Sequence, residues 1–128
     1  MADLSGALSV AASGMEAQSS RLRHVAENIA NADTPGYHRK TIGFRPGDGR
    51  CRPGGTPARC SWTRRDLARI YDPGHPLADD TGHYDGSNVD LVIEIADARE
   101  AQRSYEANLR MFDQARQMTQ SLFELLRR

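Results

Sequence analysis

The chain has 128 residues, with 17 basic and 17 acidic side chains, so its formal net charge is zero. Leu, Ile, Val and Phe together number 22, which is below the roughly 20% of residues at which a chain readily buries a core of its own. This composition excludes a large private core, and it predicts a chain that folds fully only when partners complete its core.

Neither membrane insertion nor signal-directed secretion is supported by the sequence. No run of residues approaches the ~18 apolar positions of a transmembrane helix. The N-terminus lacks the basic start, the apolar stretch and the cleavage site of a secretory signal peptide. We therefore predict that the chain does not span a membrane, and that it stays in the cytoplasm or leaves by a route that keeps its N-terminus intact.

A long amphipathic helix is predicted from about Leu4 to Asn31. Seam residues recur there at alternating steps of four and three, which is the pattern of a helix that packs on another helix. The seam positions are Leu4, Leu8, Ala11, Met15, Gln18, Leu22, Val25 and Ile29. Thr34-Pro35-Gly36 should end the helix and turn the chain, because the residue before a proline is pushed out of helical geometry.

The middle of the chain, residues 34–87, has the opposite character. It holds all six prolines and most of the glycines, which predicts turns and loops. Thr41–Phe44 and Leu67–Tyr71 are each predicted to form a short strand. Charge is segregated here, because residues 39–69 carry nine Lys or Arg against two Asp, and residues 72–85 carry four aspartates without Lys or Arg.

A second long helix is predicted from about Asn88 to Arg127, and its apolar residues fall on two overlapping seams. One seam runs through Leu91, Ile95, Ala98, Tyr105, Leu109, Phe112, Phe123 and Leu126. The other runs through Ala101, Tyr105, Asn108, Phe112, Ala115, Leu122 and Leu126. We expect the first seam to pack on the N-terminal helix. The predicted fold is mainly α, with long N- and C-terminal helices paired in a coiled-coil-like layer and a small irregular, β-containing middle.

Metal-binding residue types cluster at one place in the middle segment. They are His75, Asp79, Asp80, His83 and Asp85. Their spacing matches no recognised ligand pattern, and the neighbouring glycines and prolines favour turn chemistry. We predict no metal site and no cofactor.

The two cysteines, Cys51 and Cys60, leave several possibilities open. Their spacing allows a disulfide but does not require one. With His75 and His83 they make four zinc ligands on paper, although zinc modules place each cysteine pair closer together. A cysteine nucleophile would need an activated thiol in a formed cleft, and the surrounding Gly/Pro/Arg-rich sequence offers little apolar support for one. We predict no catalytic residue.

A basic stretch that includes Trp62, Arg64 and Arg65 offers charge and stacking for nucleic acid. Charge runs are more often solvated surface, and no reading helix is recognisable. A small basic cysteine-containing nucleic-acid-binding module is therefore the alternative, and the favoured prediction includes no nucleic acid among the partners.

Amides and aromatics on the two helices favour assembly instead. Asn28 and Asn31 lie on one face of the first helix end, where they can cap carbonyls or bond a neighbouring backbone. Tyr105 and Asn108 repeat this pairing on an Ala-rich face, where a buried polar contact would set the register between helices. The predicted assembly interface consists of Leu22, Val25, Asn28, Ile29, Asn31, Tyr105, Asn108, Leu109 and Phe112.

Two sets of motifs carry a family resemblance. Residues 13–22 read S-G-M-E-A-Q-S-S-R-L and residues 26–37 read A-E-N-I-A-N-A-D-T-P-G-Y, which resembles the signature of bacterial flagellar rod and hook proteins. The series D-P-G-H-P, N-V-D and S-Y-E-A-N that follows is similar to that of proximal rod proteins in this axial family. The resemblance covers residues 1–44 and about 64–128, whereas residues 45–63 depart from it. Another rod subunit of the same family is a second alternative.

The resemblance implies a structural subunit and no enzyme. It implies three regions: an inner-layer helix at 1–33, a loop-rich middle at 34–87, and a second helix at 88–128 that pairs with the first. Such subunits leave the cell by type III export without a cleaved signal and assemble in the periplasm as the basal-body rod. The implied partners are copies of the same chain, other proximal rod proteins, the distal rod protein and the adaptor between the MS ring and the export gate.

Overall fold

The computed structural model describes residues 2–44 and 58–127, and it is mainly helical. Its elements in chain order are α1 (Ala2–Ala30), β1 (Lys40–Phe44), β2 (Ala58–Trp62), β3 (Arg69–Tyr71), β4 (His83–Asp85) and α2 (Leu91–Arg127). The predicted fold class is confirmed: two long helices pair, and a small strand-containing middle connects them. The structure of residues 45–63, which the sequence leaves open, is described only from Ala58 onward.

The two helices run antiparallel along one another. Successive contacts lie closer to the N-terminus of α1 and closer to the C-terminus of α2. They run from Asn28–Glu94 through Arg21–Asp97 to Gly14 against Asn108. α2 is the longer of the two helices, and its 37 residues span about 55 Å. α1 has 29 residues and spans about 43 Å.

Small residues dominate the seam between the helices. Among the described residues, the buried apolar side chains are Ala11, Ala17, Val25, Ala101 and Ala115. Alanine lets two helices approach closely, but each one buries little apolar area. The pair therefore holds a thin core, in agreement with the composition.

The face of α2 that contacts α1 differs from the expected one. Leu91, Ile95 and Leu109 of the first predicted seam are largely exposed, whereas Ala101 and Ala115 of the second seam are buried. The buried face includes a polar side chain near the start of α2, Glu94, which lies one position before Ile95 of the first seam and is hydrogen-bonded to Asn28 and Arg39. Leu91, Ile95 and Leu109 are left outward-facing.

The described part of the middle forms two small antiparallel sheets. β1 pairs with β2, with Thr41 opposite Ser61, and β3 pairs with β4, with Ile70 opposite Tyr84. The sequence predicts β1 and the end of the segment that forms β3. It misses β2, which lies beside the Gly/Pro-rich stretch, and β4, which has three residues in an acidic loop.

Gly14 is expected to matter for packing, whereas Gly6 is not. A Cβ built on Gly14 would lie 2.9 Å from Asn108 Nδ2, while a Cβ on Gly6 would meet no atom within 4 Å among the described residues. Gly6→Ala should stabilise the protein by up to about 1 kcal/mol through helix propensity. Gly14→Ala should keep less of that gain, because the side-chain amide of Asn108 must move to make room for the new methyl group. Urea unfolding of both variants provides the measurement.

A double-mutant cycle isolates the contact. In an Asn108→Ala background the clash is gone, so Gly14→Ala should stabilise as much as Gly6→Ala does. Equal free energies of unfolding for Gly14→Ala and Gly6→Ala in the otherwise unchanged chain would contradict this close packing.

Candidate functional site

The end of α1 is organised by one buried side chain, Asn28, which is 1% exposed. Its Nδ2 group donates to the carbonyl of Lys40 at 2.9 Å and to Glu94 Oε2 at 3.2 Å. Its Oδ1 atom accepts from the Lys40 backbone N–H at 2.9 Å and from the Tyr37 hydroxyl at 3.0 Å. Asn28 thus uses both donors and both acceptor positions of its amide, and it joins α1, β1 and α2.

Glu94 is the charged member of this group and is fully buried. One of its oxygens accepts from the Asn28 amide, and the other accepts from the Arg39 guanidinium. A buried carboxylate costs free energy unless it is paired and hydrogen-bonded, and here both oxygens have partners. We call Asn28, Arg39 and Glu94 the polar node.

Asn88 and Asp90 extend the polar node to the start of α2. The Asn88 side chain accepts from the Arg39 backbone N–H at 2.6 Å and donates to the Arg65 carbonyl at 3.1 Å. Asp90 caps the helix, since its Oδ1 accepts from the Val92 N–H at 3.0 Å. The N-V-D motif therefore has a physical function: one residue holds two loop segments together and another starts the helix.

The exit from α1 is a tight turn, as the sequence predicts. Asn31 donates its side-chain amide to the Glu27 carbonyl at 2.8 Å, and Thr34 donates to Asn31 at 3.2 Å. Gly36 follows with φ of 73°, a left-handed conformation that glycine adopts without strain. Its N–H points at the carbonyls of Asp85 and Gly86, 3.1 and 3.2 Å away, so the turn is pinned to the end of β4.

Ion pairs surround the polar node. Arg21 pairs with Asp97 across the helices, and its hydrogen bond to that carboxylate raises the pKa of Arg21. Lys40 Nζ lies 2.7 Å from Glu27 Oε2 and lowers the pKa of Glu27 by this hydrogen bond. The Lys40 ammonium also lies 5.0 Å from the centre of the Trp62 ring, a cation–π contact.

An open cavity of about 430 Å³ lies between α1, β1 and α2. Charged groups line it, including Arg21, Arg39, Asp97 and Glu100. Arg21 is paired with Asp97, and Arg39 with Glu94. Cations that already have carboxylate partners inside the chain are poorly suited to hold a separate small anion.

The candidate metal ligands of the middle segment have structural roles in the turns and in β4 (His83–Asp85). Asp79 Oδ1 accepts from Thr81 N–H at 2.9 Å, from the Thr81 hydroxyl at 2.5 Å and from His83 N–H at 3.2 Å. His75 stacks on Tyr84 with ring centres 4.1 Å apart. Within the described residues, no three His, Cys, Asp or Glu side chains converge as a metal site. Cys51 lies outside the described residues.

The predicted interface residues fall into three groups. Val25 and Asn28 are buried inside the chain, and Asn108 lies against Gly14. Ile29 and Leu109 are 40% and 41% exposed and face outward. The remaining four, Leu22, Asn31, Tyr105 and Phe112, are half-buried.

Sequence reasoning missed Arg39, Asn88 and Glu94 as parts of this site. The only signal for Glu94 is a charged residue inside the apolar run Leu91–Ile95, where an exposed side chain is the ordinary interpretation. Arg39 and Asn88 bring distant segments together, so local pattern carries no sign of their contact.

Two family models match the chain. Residues 8–38 match the model described as Flagella basal body rod protein. Residues 81–125 match the model described as Flagellar basal body rod FlgEFG protein C-terminal. Both matched segments meet at the polar node, which joins the end of α1 to the start of α2. These matches define the class of protein, a structural component of the flagellar basal-body rod.

Proteins that align with most of this chain identify the family within this class. The flagellar basal-body rod protein FlgC of Agrobacterium fabrum is 44% identical over 138 aligned positions, covering 99% of this chain and 98% of the relative. FlgC of Aquifex aeolicus is 34% identical, covering 97% and 98%. FlgC of Salmonella typhimurium is 33% identical, covering 85% and 87%. This chain belongs to the FlgC family of rod proteins and is a structural subunit of the proximal rod.

By itself, membership of this family excludes neither a catalytic activity nor particular binding partners. It does decide between the alternative functions that the sequence left open. A nucleic-acid-binding module is not favoured, and neither is a different rod subunit. The first alignment covers nearly the whole chain, so it also runs through residues 45–63, which the motif resemblance does not cover. No helix among the described residues is long and apolar enough to cross a membrane.

Asn28→Ala should destabilise the protein by about 2–4 kcal/mol, because the buried carboxylate of Glu94 and the peptide groups of Lys40 lose partners. Asn31→Ala is the matched control. Its amide bonds only to nearby residues at the end of the same helix, so a loss of about 0.5–1 kcal/mol is expected. Urea unfolding compares the two variants. Similar losses for both would contradict a central role for Asn28.

Asp79 makes the hairpin between β3 and β4 sensitive to acid. The Thr81 hydroxyl, the His83 N–H and the other donors lower the pKa of Asp79 from 3.8 to about 2. A depressed pKa stabilises the fold above the ordinary aspartate value, and that contribution is lost as pH falls from about 4 toward 2. The amide resonances of Thr81 and His83 should shift with a midpoint near pH 2, and Asp79→Asn should abolish the shift. Asp80→Asn is the control, and persistence of the shift in Asp79→Asn would contradict the assignment.

Proposed function

We propose that this rod subunit assembles helically with other axial proteins into a tube that transmits torque and encloses the export channel. α1 and α2 form the inner layer of that tube, within regions 1–33 and 88–128. The described parts of the middle segment, within residues 34–87, lie outside this layer and are fixed to it by the polar node. The function is mechanical, and it needs no catalytic residue.

The outward-facing apolar surface of α2 is the observation that supports this proposal. Leucine, isoleucine, valine and methionine side chains that usually fill a core are exposed along its length. They include Leu91, Val92, Ile93, Ile95, Leu109, Met111, Met118, Leu122, Leu125 and Leu126. Extended apolar surface of this kind marks protein–protein interaction sites.

The predicted interface has two roles in this arrangement. Ile29 and Leu109 contact neighbouring subunits directly, because their side chains are exposed. Val25, Asn28 and Asn108 hold the helices in the position from which those contacts are made. Between the exposed residues and those that hold the helices in position lie the half-buried residues Leu22, Asn31, Tyr105 and Phe112.

The partners follow from a position in the proximal rod. They are further copies of this chain, other proximal rod proteins, the adaptor protein between the MS ring and the export gate, and the distal rod protein. The chain reaches the periplasm through the type III export channel without a cleaved signal. The thin private core supports this route, since a chain that folds fully only on assembly can pass a narrow channel.

Leu109→Glu and Ile29→Glu should block assembly while leaving export intact. A carboxylate at a contact that becomes buried is costly to desolvate, whereas export of an unfolded chain does not test that contact. In a strain that lacks its own copy, we expect the variants in the export fraction, no complete rods in electron micrographs of basal bodies, and no swimming. Tyr105→Ala and Asn108→Ala should also reduce assembly more than export.

Leu109→Met and Ile29→Val are the conservative controls, and they should restore swimming. The interface assignment fails if Leu109→Glu and Ile29→Glu build rods and swim normally. A loss of export in the same variants would point instead to a defect before assembly, and it would also contradict the proposal.

A further inference from the structure

Gln18 is a polar side chain that buries its oxygen in the seam between the helices without a partner. It lies between Met15 and Leu22 in the seam of α1, at a position where the heptad pattern favours an apolar residue. Its Oε1 atom is buried and has no hydrogen-bond donor among the described residues. A buried acceptor that has given up water without gaining a donor lowers the stability of the fold.

The packing around Gln18 keeps outside donors away from this oxygen. The register set by Gly14 against Asn108 places Gln18 about one helical turn from Ala101 of α2. Ala101 is 0% exposed, and Ala17 beside Gln18 is 3% exposed. The helices are therefore in close contact at this level, although the side chain of Gln18 as a whole is half-buried. A neighbouring subunit cannot bond to the enclosed oxygen unless the two helices first move apart.

Gln18 differs in this respect from Asn28. The burial of Asn28 is offset by four hydrogen bonds that join three elements, whereas the buried oxygen of Gln18 joins nothing. A polar residue in a helical seam can be retained because its contact fixes the register, but an unpartnered oxygen fixes none. The effect of Gln18 on the isolated chain is therefore to weaken a seam that alanines already make thin.

We propose that Gln18 keeps the helix pair weak enough to open, so that the chain can pass the export channel before it assembles. Paired helices must separate before a narrow channel admits the chain, and the rate of passage then follows the population of the open state. In the rod, contacts with neighbouring subunits supply the stability that the isolated pair lacks. This inference rests on the proposed function, in which the chain leaves by that route.

Gln18→Met tests the first step, because it removes the buried acceptor and keeps the length of the side chain. In urea unfolding of the purified chain, the equilibrium constant for folding should rise roughly fivefold or more, as expected when an unpartnered buried polar group is removed. Gln102→Met is the matched control, because Gln102 is exposed on α2. It should change the constant by no more than about twofold.

Pulse-labelled export tests the second step in a strain that lacks its own copy. The fraction of Gln18→Met that has left the cytoplasm at early times should fall on the order of fivefold, in step with the open population. Gln102→Met should be exported like the unchanged chain.

A second substitution separates stability from a direct contact with the export machinery. Ala11 is buried in the same seam, at 6% exposure, and glycine in a helix interior is unfavourable. Ala11→Gly added to Gln18→Met should therefore weaken the pair again and restore export. A side chain that acted by touching the machinery would not be rescued in this way, so failure of the rescue counts against the inference.

Each other outcome also decides something. Lower stability of Gln18→Met would mean that a donor such as the Ser104 hydroxyl satisfies the oxygen in solution, and it would overturn the inference. So would a more stable Gln18→Met that is exported normally, including one that then fails to build rods. If the unchanged chain itself does not leave the cytoplasm, the proposed function fails instead.

Discussion

The hydrogen bonds of Asn28 are the constraint on which the rest of the structure depends. A side-chain amide can make four such bonds, and Asn28 makes all four with groups from three different parts of the chain. Because Asn28 and Glu94 are buried, the carboxylate of Glu94 would lose a partner that water does not readily replace if Asn28 were lost. The end of α1, the first strand and the start of α2 therefore take their mutual positions from one residue, and Glu94 is tolerated in the interior because Asn28 and Arg39 satisfy it.

This polar organisation explains why the helix pair turns its apolar side chains outward. Glu94 is buried at the start of α2, while Leu91 and Ile95 beside it are about half exposed. The seam that remains is lined by alanines, which pack closely but bury little area. A single domain that folds alone would be only weakly stabilised by such a seam. A rod subunit gains from it, because the larger apolar side chains stay available for contacts between subunits.

The sequence predicts the features that local chemistry decides. Both helices and the turn at Thr34-Pro35-Gly36 follow from periodicity and backbone preference, and the structure has them. The choice between the two seams of α2 could not be predicted, because it depends on a contact between Asn28 and Glu94, 66 residues apart. β4 is missed for a related reason: three residues form a strand only when β3 lies beside them. The contacts of Asn88 and Arg39 form only after the chain has folded back, so the local sequence does not indicate them.

Register is the remaining problem for two helices that meet through alanines, since small uniform side chains oppose sliding only weakly. Here two polar positions oppose it. Asn28 meets Glu94 at one level, and Asn108 occupies the space above Gly14 at another. Fourteen residues, or two heptads, separate the two levels on each helix, about 21 Å along the axis. A slip of one turn would bury the carboxylate of Glu94 without Asn28 and would bring Asn108 onto a residue with a side chain. Polar contacts in a helical seam commonly trade stability for a single register, and a rod needs that register because every subunit must present the same exposed surface to the next.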